Sequence, residues 1–325
     1  MALIHDPAQA ARLLKDGQLV ALPTETVYGL GADAMNPDAV ARIFEAKNRP
    51  QFDPLIVHVA SIEQVSQVAE WNEMAERLFR AFAPGPLTLI LKKKAEVPML
   101  VTSGHPTVAV RIPAHPLMLE VLRLFGGPVA APSANPFGYT SPTTAAHVER
   151  SLGDKISAVL DGGPCAIGVE RTIVDTTCDP PRVLRLGGLE LEALDAAVGQ
   201  RLQVQTSSSN PTAPGMLSAH YNPGKQLILV DSSDEAALAQ AAGLDAALLT
   251  FGDAHWALPH STTYNLSPGG HLREAAANLF AGLRALAQTP HSIILAHKLP
   301  EEGLGRAIND RLLRASAKTL KDHTS

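Results

Sequence analysis

Eight short strand-like runs crowd the first 190 residues, and they constrain the fold more than any other feature. They cover residues 18–22, 55–59, 88–92, 107–112, 128–131, 158–160, 172–176 and 182–186. Helical signals fall between several of them. Asn36 is placed to cap a helix with Pro37 at its first position, Val40, Ile43 and Phe44 make a buried stripe, and Pro50 ends it. Strands alternating with helices predict an α/β sheet, and the close spacing of the later strands predicts a mixed sheet, not a purely parallel one. Apolar residues make up 46% of the chain and charged residues 18%, enough for a core and too apolar for a disordered chain. Aromatics are only 4%, so Ala, Val, Leu and Ile must fill that core.

At 325 residues the chain has room for two domains. No Asp, Glu, Lys or Arg occurs from Leu202 through Gly224, and its "QTSSSNPTAPG" reads as a linker. Beyond it the pattern restarts: strand 226–230, helix near 235–242, strand 247–251, helix 272–287, strand 292–296 and a helix from Leu304. Leu272, Ala276, Leu279, Leu283 and Leu286 keep one helical face. The expected division is a first domain at 1–200, a linker or lid at 201–224 and a smaller α/β domain at 225–325.

Composition excludes several classes. A formal charge of −5 argues against a surface that grips nucleic acid throughout. Two cysteines, Cys165 and Cys178, without a CxxC make a disulfide framework or zinc ribbon untenable and fit a reducing cytoplasm. Asp6 and Pro7 open an amphipathic helix, so the N-terminus does not read as a signal peptide. Residues 124–148 carry no charge, but Pro128, Pro132, Pro136 and Pro142 forbid a membrane span; a buried pocket wall is the better reason for such a segment. There is no GxxxxGK[ST], GxGxxG after a strand, HExxH or GxSxG, so a nucleotide site must be built in another way.

The candidate polar residues each have a structural and a chemical reading. In "TVAVRIP", Val108, Val110 and Ile112 point one way and Thr107, Ala109 and Arg111 the other. Arg111 is either a salt-bridge partner or a fork for a carboxylate or phosphate. His58 shares a face with Ile56 and is either a satisfied core histidine or a ligand. Lys47 and Arg49, in "AKNRP", either complement a helix C-terminus or clamp a polyphosphate. Ser133 and Asn135 follow a strand, and Ser141 precedes a helix, where hydroxyls and backbone N–H groups bind phosphate or simply start the helix.

Taken in order, "PTETVYGLG", "AKNRPQFDPLIVHV", "APGPLTLIL", "VAVRIP", "APSAN", "DGGPCAIGVERTIVD" and "VLRLGG" resemble the YrdC/YciO-type domain of threonylcarbamoyl-AMP synthases over about residues 10–190. "APGMLSAHYNPG" and "GLGRAINDRLLRAS" resemble the linker and C-terminal domain of the long, two-domain form. The resemblance implies a YrdC-like twisted mixed sheet with flanking helices, followed by a Rossmann-like α/β domain. It implies a nucleotidyltransferase that joins L-threonine, bicarbonate and ATP, with Mg²⁺ accompanying the ATP, and releases pyrophosphate. A downstream tRNA-modifying transferase would take the threonylcarbamoyl group. Thr26, His58, Arg111, Ala131 and Arg171 would surround threonine. Arg49, Asp53, Thr107, Ser133, Ser141, Arg185 and Tyr221 would surround ATP, with Lys47 and Arg49 the charge-stabilising catalytic pair. No resident metal, no membrane and a cytoplasmic setting are expected. Weak tRNA binding, an RNA-binding module without catalysis, and a carbamoyltransferase-type relative are the alternatives.

Two positions depart from the family pattern. Asp53 stands where relatives usually have Asn, and Arg171 where they usually have Ser. The opposite charges of the two changes lead to the expectation that Asp53 and Arg171 approach within salt-bridge distance, at least in the closed form; the alternative is that Arg171 points to solvent and Asp53 replaces Asn as an acceptor.

Overall fold

Local signals account for the first elements. The Asp6 carboxylate accepts the Ala8 N–H at 2.8 Å, and the Asn36 side chain accepts the Asp38 and Ala39 N–H groups; Pro7 and Pro37 follow as first helical residues. The computed structural model describes residues 1–206, 213–214, 216, 219–231, 244–253 and 261–316. They divide into two compact units. Met1–Phe137, Ser141–Ala166 and Glu170–Leu217 form the first; Gly138–Thr140, Ile167–Val169 and the chain from Ser218 form the second.

The first unit runs β1 (Ala2–Ile4), α1 (Pro7–Lys15), β2 (Val20–Leu22), β3 (Gly29–Asp33), α2 (Pro37–Lys47), β4 (Ile56–His58), α3 (Ile62–Val65), α4 (Glu73–Phe82) and β5 (Leu87–Lys92). It continues with β6 (Thr107–Arg111), α5 (Pro116–Phe125), β7 (Val129–Ala130), α6 (Ala145–Leu152), β8 (Ala158–Leu160), β9 (Thr172–Asp175), β10 (Arg182–Arg185), α7 (Leu191–Val198) and β11 (Gln203–Val204). The strands make one 11-stranded sheet in the order β1-β8-β2-β3-β7-β4-β6-β5-β9-β10-β11. It is mixed, as expected: β4 and β6 run parallel, while β5 and β6, and β4 and β7, run antiparallel.

The period-two reading of β6 holds. Val108, Val110 and Ile112 enter the main core with Val57, Leu89 and Leu91. Ala109 lies on the other face with Ile56, Ile90, Ile173 and Leu184, where Ala213 and Met216 cover it. Because β4 pairs with β6 in register, His58 sits beside Arg111 on that second face. The core is as poor in aromatics as the composition demands, with Phe44 and Phe79 among many aliphatic residues.

The strand β3 did not stand out in the sequence because glycine weakens strand propensity. The structure supplies the reason for Gly31: a Cβ there would lie 2.8 Å from Leu22 Cδ1 and 3.2 Å from the Val20 carbonyl. Only a glycine lets β3 pair this closely with β2. The uncharged 124–148 stretch holds the end of α5, β7 and the start of α6, and most of its intervening residues are buried.

In the second unit, β12 (Gln226–Val230), β13 (Ala246–Thr250), β14 (Thr263–Asn265) and β15 (Ile293–His297) form a parallel sheet in the order β12-β15-β13-β14. With them go α8 (Leu272–Ala287) and α9 (Gly303–Ser316). The α8 stripe is as read after its first residue: Ala276, Leu279, Leu283 and Leu286 are buried, while Leu272 is only partly so. The helix expected near 235–242 lies outside the described residues, as do 207–212, 215 and 217–218 of the expected linker. Among the described residues, no helix is long and apolar enough to cross a membrane.

Candidate active site

The polar residues of the opening motif converge at strand ends of the first unit. Arg111, the last residue of β6, is fully buried. Its Nη2 donates to Glu25 Oε1 at 2.5 Å, Nη1 to Thr26 Oγ1 at 3.0 Å and Nε to the Gly85 carbonyl at 3.2 Å. The second Glu25 oxygen accepts the Ala114 N–H at 3.1 Å, and Thr26 shares a 2.9 Å hydrogen bond with Thr24. Burial alone would raise the Glu25 carboxyl; the charge and hydrogen bond of Arg111, with backbone donors, outweigh it and hold it below its ordinary value. A guanidinium has five N–H groups. Three are used here, which leaves one N–H on each terminal nitrogen.

His58 is buried beside Arg111, and neither ring nitrogen completes a hydrogen bond. Burial, then the charges of Arg111 and Arg171, hold the imidazole well below its ordinary pKa, so it is neutral. A neutral ring offers one donor and one acceptor. Leaving a buried polar group unsatisfied costs about 1–3 kcal/mol, and the backbone of Ile56 and Val129 acts on the ring from close by.

A second group gathers cations. Lys47, at the end of α2, is buried; its ammonium donates to the Ser133 carbonyl at 2.5 Å and to that of Asn135. Burial foremost, then Arg49 and Arg171, push its pKa well down. The backbone reaches this point because Asn48, at φ +50°, turns the helix end in the left-handed region that asparagine tolerates. Arg49 pairs with Asp53 at 2.8 Å, donates to the Asp53 and Pro54 carbonyls, and lies 5.9 Å from the Phe137 ring centre. Arg185, ending β10, donates to the carbonyls of Arg171 and Pro214. Ser141 donates to Glu170 at 2.5 Å, with both residues buried.

Most of the sequence-derived candidates therefore fall in one unit, and the charge coupling of His58 to both Arg111 and Arg171, and of Lys47 to Arg49, Asp53 and Arg171, ties many of them together. Ala131 follows β7, its N–H bonded to the Ile56 carbonyl. Thr107 begins the strand that Arg111 ends, four steps or about 13 Å away. Tyr221 belongs to the second unit, where it is buried, adopts φ +63°, and packs between His220, Phe280 and Arg311.

One expectation is corrected. Asp53 pairs with Arg49, not with Arg171: no ion pair joins Asp53 to Arg171 among the described residues. Arg171 is 3% exposed, so it does not point to solvent either. The i,i+4 spacing of Arg49 and Asp53 offered the nearer partner. The sequence marks Glu25 as one of the polar groups of its segment, but sequence reasoning assigned no site role to Glu25 or to Glu170. Their signal was present: each is a carboxylate next to a candidate residue, Thr26 or Arg171, in a segment otherwise poor in acids.

The family model Sua5/YciO/YrdC, described as telomere recombination, matches residues 12–187, and the model for the C-terminal domain of threonylcarbamoyl-AMP synthase matches residues 189–317. The chain belongs to the Sua5/YrdC family. The threonylcarbamoyl-AMP synthase of Pyrococcus abyssi is 43% identical over 316 residues, 94% of this chain and 93% of that one. That of Bacillus subtilis is 42% identical over 326 aligned residues, 96% of this chain and 94% of that one. The crystal structure of P. abyssi Sua5 complexed with L-threonine superposes with a TM-score of 0.88 at 41% identity, covering 95% of this chain and 94% of that one. The mixed sheet and the smaller parallel-sheet domain are thus those of the long form of the family.

Proposed function

We propose that this chain is an L-threonylcarbamoyladenylate synthase, which makes threonylcarbamoyl-AMP and pyrophosphate from L-threonine, bicarbonate and ATP. The observation that carries the reading is the buried, in-register pair of His58 and Arg111 beside the cations Lys47, Arg49 and Arg185, in a chain with full-length relatives of that activity.

The two remaining protons of Arg111 hold the threonine carboxylate, Thr26 and Ala131 border the amino acid, and neutral His58 hydrogen-bonds it without adding charge. Arg171, whose charge acts on His58, borders the amino acid as well. Arg49, Asp53, Thr107, Ser133, Ser141 and Arg185 belong to the nucleotide. Mg²⁺ accompanying ATP would supply charge neutralisation at the phosphates. The threonine amine adds to CO2 from bicarbonate and loses a proton, giving a carbamate. A carbamate oxygen then bonds to the α-phosphorus as the bond to the β-phosphate oxygen breaks, and pyrophosphate leaves with that electron pair. Lys47 and Arg49 stabilise the charge that builds on the phosphates, so no protein nucleophile is needed. The product's mixed anhydride is an activated carbamoyl donor suited to a transferase that modifies tRNA.

Pyrophosphate release with threonine or bicarbonate left out in turn tests the reading. Release should need all three substrates; an equal rate without threonine would make the protein a plain ATPase.

A further inference from the structure

The second unit contains more than its own sheet and helices. It takes in two short segments from the first half of the chain, Gly138–Thr140 and Ile167–Val169. Each is joined by one peptide bond to a residue of the candidate site: Thr140 precedes Ser141, and Val169 precedes Glu170 and Arg171. Ser141 and Glu170 are hydrogen-bonded to each other at 2.5 Å.

Both segments are gripped by α8. Arg284 Nη2 donates to the Thr140 carbonyl at 2.5 Å. Gly168 lies directly on the helix backbone: a Cβ there would meet Ala277 Cα at 2.4 Å, the Ala276 carbonyl at 2.5 Å and the Ala277 carbonyl at 2.7 Å. Its φ of +77° adds a second requirement for glycine. A further tie fixes the first segment, because Asn222 N–H donates to the Gly138 carbonyl at 2.8 Å and Thr140 N–H to the Asn222 carbonyl at 3.3 Å.

We propose that α8 is a positioning element for the reaction, with Arg284 and Gly168 setting the places of Ser141 and of Glu170–Arg171 through the backbone. Neither residue is placed in contact with substrate. The proposal rests on the assignment of Ser141 to the nucleotide and Arg171 to threonine made above. It gives the C-terminal domain a task in catalysis: it fixes two loop segments that carry site residues but have no strand or helix of their own to hold them.

The two contacts predict different kinetic signatures in the full-length protein. Arg284→Ala removes one charge-assisted hydrogen bond from the segment before Ser141, so the KM for ATP should rise about tenfold while the KM for threonine stays within about twofold. Arg284→Lys, which can still donate to the carbonyl, should recover most of that loss. Gly168→Ala should act on the threonine KM more than on the ATP KM. Circular dichroism and thermal melting accompany each variant; should Gly168→Ala fail to fold, the Arg284 pair decides alone. An active wild type with an unchanged ATP KM in Arg284→Ala overturns the clamp and leaves the synthase reading standing. A wild type that releases no threonine-dependent pyrophosphate overturns the reading and the proposal with it.

Discussion

Two clusters of buried charge lie in the first unit, and they are compensated in different ways. Around Arg111 the balance is ionic and local: one guanidinium, one Glu25 carboxylate held below its ordinary pKa, and a hydroxyl and a carbonyl for other donors. Around Lys47 and Arg49, Asp53 pairs with Arg49 and the carbonyl oxygens of Ser133, Asn135 and Pro54 take up N–H groups of the two side chains; the carbonyls of Arg171 and Pro214 do the same for Arg185. A carbonyl is a dipole and satisfies a hydrogen without cancelling the charge. The first cluster is therefore near neutrality before substrate arrives and can select by geometry. The second relies more on dipoles, an arrangement that suits the phosphate-binding role proposed for it.

The comparison is tested most severely at Asp53. Asp53→Ala leaves Arg49 buried without its carboxylate and should cost about 3–5 kcal/mol in a urea unfolding experiment. In a double-mutant cycle, Asp53 and Arg49 should couple strongly, while Asp53 and Arg171 should be additive within about 0.5 kcal/mol. Strong coupling to Arg171 would return that residue to Asp53's side and break the division drawn here.

A smaller effect belongs to the other cluster. Arg111→Ala should weaken threonine binding by roughly ten- to a hundredfold, about 1.5–3 kcal/mol, with ATP binding nearly unchanged. Calorimetry with each ligand separates the two. Equal losses for both would mean that the clusters act as one field.

The smallest effect is a pH dependence. The unfolded Glu25 takes up a proton near its ordinary 4.5, whereas the folded residue does so only at a lower pH. Its pair with Arg111 thus contributes stability that is present above about pH 4.5 and is lost as pH falls through the folded value. Glu25→Gln should be less stable at neutral pH and should lose less on acidification. Parallel stability–pH curves for the two proteins would show that Glu25 is not the group that compensates Arg111.

Much of the site was legible because its faces follow from period-two geometry. Ile56 and His58 share a face, as do Thr107, Ala109 and Arg111, whatever the rest of the chain does. The helix caps at Asp6 and Asn36 were legible for a similar reason, since a capping side chain reaches N–H groups two or three residues away. Other features hid in residues whose local preference points elsewhere. Gly29 and Gly31 disguised β3, and only the closeness of Leu22 and Val20 shows why Gly31 is needed in that strand.

The sequence by itself determined the alternation of strands and helices, the side of each strand that carries polar groups, and, through a series of motifs, the family. Tertiary structure alone decided which groups meet. Glu25 and Arg111 are 86 residues apart, and Lys47 reaches carbonyls 86 and 88 residues away. Those meetings depend on the order in which strands enter the sheet, a property of the whole chain that no local period encodes. The exception marks the boundary: Arg49 and Asp53 are four residues apart, close enough for a local reading, yet only their joint burial shows that the pair excludes Arg171 as the partner of Asp53.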